Sequence, residues 1–97
     1  MRNVYLVAYD VSDPKRLRRT YQTMLGHGDP VQYSIFYCEL SPIERQQLKQ
    51  RLWDELNWDE DRVLIVDLGP VGGRGDECME FWGSPRRLPS QRGPNIV

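Results

Sequence analysis

Histidine and cysteine are scarce in this chain: one histidine and two cysteines stand among 97 residues. His27 lies in a Gly-His-Gly that ends a helical stretch, so it reads as a terminus residue, not an acid–base catalyst. That leaves no Ser–His–acid set, no Cys–His pair and no histidine-rich metal cluster to assemble. Cys38 and Cys78 match no zinc or redox spacing and read as free thiols of a reducing compartment, packing as small apolar groups. No apolar run approaches the roughly 20 residues that span a bilayer. The N-terminus lacks the order of a secretory leader. These absences predict a cytoplasmic protein with no membrane association. Charge of one sign is missing too: 13 cationic and 14 anionic side chains give a net charge of −1. This excludes a globally basic nucleic-acid binder but not a local basic face. No dinucleotide fingerprint follows the first strand, and the glycines at 69, 72, 73 and 75 lead into no Gly-Lys-Ser/Thr phosphate loop.

What is present is organised around Val4-Tyr5-Leu6-Val7-Ala8-Tyr9-Asp10. The run is apolar, β-branched and aromatic, too short for a typical helix, and does not alternate, which predicts a central strand covered on both faces. It stops at a carboxylate on a rigid strand end, a good place to hold a metal or a reacting group. Asp13 and Pro14 then form an N-cap and first helical residue, predicting a helix from 14 to about 26. Leu17, Tyr21, Met24 and Leu25 form its apolar face at helical spacing, and Lys15, Arg16, Arg18 and Arg19 lie on the other side or beside it. Because Asp13 caps the helix, Asp10 is not needed for that task.

Residues 31–40 read as a strand region with a bend at Ser34. Ser41-Pro42-Ile43-Glu44 is a capping box opening a helix to about residue 56, with Leu48, Leu52 and Leu56 as its buried stripe and Trp53 at the edge. The acidic stretch around residues 59–61 reads as a turn, and residues 62–68 as a second strand apolar on both faces. The order predicts an α+β, ferredoxin-like βαββαβ core over residues 1–68. Residues 69–97 read as a connector and docking arm of the same domain, with a short strand over residues 78–82. A chain this short buries only about 60–68% of its unfolded surface. The simplest cover for a second apolar sheet face is another copy packed through a two-fold axis, hence a symmetric homodimer.

The remaining chemistry is a carboxylate, the hydroxyls of Tyr9, Ser12 and Ser34, and cations. Such groups suit a hard metal and a phosphate. Mg²⁺ keeps several waters and takes one or two carboxylates, so two copies of Asp10 across a dimer axis would meet its needs.

Tyr9-Asp10-Val11-Ser12-Asp13 followed by Lys15-Arg16, and Val31-Gln32-Tyr33-Ser34-Ile35-Phe36 further on, resemble the two motifs of the CRISPR-associated protein 2 family. These are the smaller proteins of spacer acquisition. The Leu40-Ser41 junction also fits, and the resemblance runs from about residue 4 to 68. It implies a ferredoxin-like homodimer that acts as a metal-dependent endonuclease on RNA or DNA, with Mg²⁺ (or Mn²⁺) as cofactor. It also implies a larger CRISPR-associated integrase as partner. The family's metal aspartate maps onto Asp10, its polar and basic positions onto Tyr9, Ser12, Arg16 and Arg19, and its second-motif aromatic onto Phe36. Lys15 and Arg18 complete the basic cluster that would hold nucleic acid. Two positions depart from the pattern: Pro30 and Leu17 stand where basic residues are common. The alternatives are a non-catalytic dimeric scaffold bridging integrase and DNA, and a toxin-type ribonuclease of the same fold.

Overall fold

The apolar strand that ends in Asp10 sits inside a four-stranded sheet, in a computed structural model that describes residues 1–83. In chain order the elements are β1 (Asn3–Asp10), α1 (Pro14–Leu25), β2 (Gly28–Gln32), β3 (Ile35–Leu40), α2 (Pro42–Glu55) and β4 (Arg62–Pro70), followed by a 3₁₀ turn (Arg74–Cys78). The sheet order is β2-β3-β1-β4, and every neighbouring pair is antiparallel. The βαββαβ order expected from the sequence is therefore the one that folds. The expected long strand region divides into β2 and β3 at Tyr33 and Ser34, and β2 starts earlier than predicted, at Gly28. A Cβ at Gly28 would lie 2.3 Å from the Tyr37 carbonyl oxygen, so only glycine lets β2 run this close to β3. Pro30 is tolerated because β2 is an edge strand with a register shift after Pro30.

Side chains alternate across β1 as the pleat requires. Tyr5, Val7 and Tyr9 join Phe36, Cys38, Leu40, Met24, Leu48, Leu52 and Leu56 in the main core under the helices. Val4 and Leu6 belong to a second cluster on the opposite face with Val31, Ile35 and Tyr37. Both helix starts form as read: the Asp13 carboxylate accepts from the Arg16 N–H at 2.9 Å, and Ser41 and Glu44 complete a reciprocal capping box.

Several expectations are corrected. On α1, Met24 is buried and Tyr21 is partly so, but Leu17 and Leu25 are exposed and Thr20 and Thr23 take their place inside. The threonines are tolerated because Thr20 donates to the Arg16 carbonyl and Thr23 to Glu55. Trp53 is exposed and stacks on Trp58, with ring centroids 5.0 Å apart. Cys38 is buried and apolar in its packing, as expected, but Cys78 is exposed; both thiols are free. Residues 79–82 form no strand, yet Met79 and Phe81 fold back onto the second cluster, so Phe81 has a home in its own chain. Tyr37 helps fix that cover by donating its hydroxyl to Asp76 of the 3₁₀ turn at 3.1 Å. The cover spans only part of the face: Leu64 is 61% and Val66 37% exposed. The expected docking of residues 84–97 on a partner lies outside the described residues.

Candidate metal and nucleic-acid site

Asp10 closes β1 with its side chain 75% exposed. By strand alternation it lies on the same face as Val4, Leu6 and Ala8, away from the helices. Register places it opposite Arg62, the first residue of β4, and the Arg62 Nε stands 3.6 Å from the Asp10 carboxylate. Both groups are exposed, so this ion pair is weak and open to exchange. A shallow groove of about 220 Å³ runs past Asp10, Arg62 and Leu64. Sequence reading missed Arg62. No local signal could have found it, because the contact follows from the pairing and register of β4 on β1.

The four clustered cations separate into two kinds. Lys15, Arg18 and Arg19 are exposed on α1, and none has an ion pair among the described residues. Arg16 points elsewhere. Its Nε and a terminal nitrogen donate to the Asp61 carboxylate at 2.8 and 3.2 Å, and Glu60 stands 3.6 Å away. Asp61, whose side chain is fully buried, also accepts from the backbone N–H groups of Asn57 at 2.9 Å and Ser12 at 3.1 Å. The Arg16 hydrogen bonds hold the Asp61 carboxyl far below the usual range, outweighing the opposite push of desolvation, and the two N–H donors add to them. The same pair raises the Arg16 guanidinium. Arg16 thus ties the start of α1 to the loop before β4, a positioning role. The Ser12 hydroxyl is engaged there too, donating to Glu60 at 3.2 Å.

Tyr9 faces the helix side and is 5% exposed, stacked on Phe36 with centroids 6.2 Å apart; Tyr21 meets Phe36 edge-on at 5.5 Å. Burial first, and Tyr21 second, push the Tyr9 hydroxyl up to about 12, so it stays protonated and is no base at neutral pH. Phe36 is fully buried and supports the two tyrosines from beneath. His27 caps the helix end, its Nδ1 lying 2.9 Å from the Thr23 carbonyl oxygen.

Among the described residues, no group of three or more His, Cys, Asp or Glu side chains is placed to hold a metal ion. At the end of β1 the donor among the described residues is the Asp10 carboxylate. That donor is exposed, hard and lightly paired, and it fits half of a magnesium shell otherwise made of water. It lies on the incompletely covered face of the sheet.

The family model described as CRISPR associated protein Cas2 matches residues 3–71. A relative from Rhodospirillum rubrum, named a CRISPR-associated endoribonuclease Cas2, is 43% identical over 69 residues, covering 71% of this chain and 68% of the relative. One of the same name from Geobacter sulfurreducens is 40% identical over 71 residues, covering 73% and 75%. Among solved structures, Streptococcus pyogenes Cas2 superposes with a TM-score of 0.73 at 30% identity, covering 82% of this chain and 99% of that one. A hypothetical protein from Thermus thermophilus gives 0.75 at 28% identity, covering 90% and 98%.

Proposed function

This chain belongs to the Cas2 family of CRISPR-associated proteins, and from that premise we propose that it is a metal-dependent endonuclease of prokaryotic antiviral defence. It acts on RNA or DNA as a cytoplasmic homodimer and takes part in spacer acquisition beside the larger integrase. The observation that carries the reading is Asp10, exposed at a rigid strand end on the partly uncovered sheet face and at the same end as the exposed cations of α1. Two Asp10 carboxylates, one from each copy, would hold Mg²⁺ or Mn²⁺. A divalent ion so bound supplies charge neutralisation at a phosphate and a more acidic coordinated water. Lys15, Arg18 and Arg19 hold the nucleic-acid backbone by charge, without reading sequence. Arg16 keeps the loop before β4 docked on α1, and Phe36 keeps Tyr9 in place.

The second reading is a scaffold that bridges integrase and DNA. The Asp10–Arg62 pair favours it, since in that case the carboxylate merely clips two strand ends. Asp10→Asn separates the two. It keeps size and shape but removes the charge a hard cation needs. The expected outcome in a gel assay is loss of Mg²⁺-dependent cleavage, with folding and oligonucleotide binding retained. Undiminished cleavage by the purified variant would remove Asp10 from the chemistry. Retained spacer insertion by the same variant with the integrase would make cleavage accessory to a bridging role.

A further inference from the structure

Tyr33 turns the β2–β3 hairpin at the sheet end where α1 begins, and it is 97% exposed. It belongs to neither core cluster. A single exposed tyrosine needs no explanation, but this one lines a cleft. The cleft holds about 400 Å³, and its walls include Tyr9, Tyr21, Tyr33 and Leu17, with Arg18 as the charged member. That volume lies within the roughly 300–1,000 Å³ of small-ligand pockets. Tyr9 and Tyr21 both rest on the buried ring of Phe36, so part of the wall is set before anything enters. Leu17, the apolar residue that α1 leaves 39% exposed, completes the apolar lining.

The lining asks for a flat, apolar-faced ligand, and the cations ask for negative charge beside it. Lys15, Arg18 and Arg19 share one stripe of α1 at three- and four-residue spacing. Aromatic platforms next to a track of unpaired cations are how proteins hold single strands, since every base has a π-face and every nucleotide a phosphate. A base inside a duplex cannot offer that face without leaving the stack.

We propose that the cleft between Tyr9, Tyr21 and Tyr33 stacks one unpaired nucleobase, with Arg18 on the adjoining phosphate. This rests on the nucleic-acid reading above and deepens it. Tyr9 and Asp10 are neighbours on β1 with side chains on opposite faces, so a base seated by Tyr9 fixes which stretch of backbone passes over the end of the sheet toward Asp10.

The test is fluorescence anisotropy at fixed salt with a labelled single strand of mixed sequence, the abasic strand of equal length, and the matching duplex. Wild-type protein should bind the base-bearing single strand more tightly than the abasic one. Tyr33→Ala should weaken that binding by about 5- to 150-fold and should cost the abasic strand far less. Tyr33→Phe, which keeps the ring, should restore most of the affinity. Equal losses on base-bearing and abasic strands would overturn the proposal, as would an equal loss on the duplex. If wild-type protein binds the strands and Tyr33→Ala changes nothing, the cleft alone is refuted. If wild-type protein binds no nucleic acid at all, the cleft falls together with the function proposed above.

Discussion

Two carboxylates near the same end of the sheet have opposite fates. Asp10 is exposed and loosely paired, whereas Asp61 is buried and saturated with donors from Arg16, Ser12 and Asn57. Asp61 serves the fold, and pH exposes that service. Its folded-state pKa is depressed below the ordinary 3.8, so the unfolded chain takes up the proton first as pH falls. The stabilisation is fully present above that ordinary value and is lost progressively as the pH falls from there through the lower folded-state value. Asp61→Asn should therefore lower the urea midpoint at neutral pH and flatten the acid limb of stability between about pH 4 and about pH 2. A variant with an unaltered acid limb would show that the buried carboxylate carries none of the acid sensitivity.

Helix α1 does two jobs with neighbouring cations. Arg16 faces the protein, while Lys15, Arg18 and Arg19 face solvent. The jobs separate in experiment. Replacing Arg18 and Arg19 together by alanine should reduce the slope of log affinity against log salt by about one per lost phosphate contact. Arg16→Ala should instead lower the melting midpoint, because it strands the buried Asp61 carboxylate without its main partner. A salt slope that falls as far with Arg16→Ala as with Arg19→Ala would place Arg16 on the nucleic acid after all.

At the scale of the molecule, one sheet face is covered by α1 and α2, and the other by its own Met79, Phe81 and 3₁₀ turn only in part. Leu64 and Val66 remain exposed beside Leu6 and Ala8, with Asp10 on the same face. The proposed homodimer would cover these residues. Sedimentation at micromolar concentration should give twice the 11.4 kDa chain mass. Leu64→Lys should return it to the monomer and, by separating the two Asp10 carboxylates, abolish metal-dependent cleavage. A wild-type monomer would end both the dimer and the shared metal site.

Local signals in the sequence determined the elements. Asp13-Pro14 and the Ser41–Glu44 capping box started the helices, the apolar run made β1 a central strand, and Ser34 marked the bend between β2 and β3. Each acts over a few residues, through caps, fixed proline φ and side-chain period, so each is legible without the fold. The sequence also singled out Asp10 as a strand-end carboxylate. Only the tertiary structure decided that Arg62 stands beside it, because that follows from the register of β4 on β1. Only the tertiary structure took Arg16 out of the cationic face, since its partner Asp61 lies 45 residues away. It also buried Thr20 and Thr23 while leaving Leu17 and Leu25 outside, because side-chain hydrogen bonds to Arg16 and Glu55 satisfied the hydroxyls where α1 met the sheet and α2. Burial and charge pairing depend on which surfaces meet, and pattern along a chain does not carry that information.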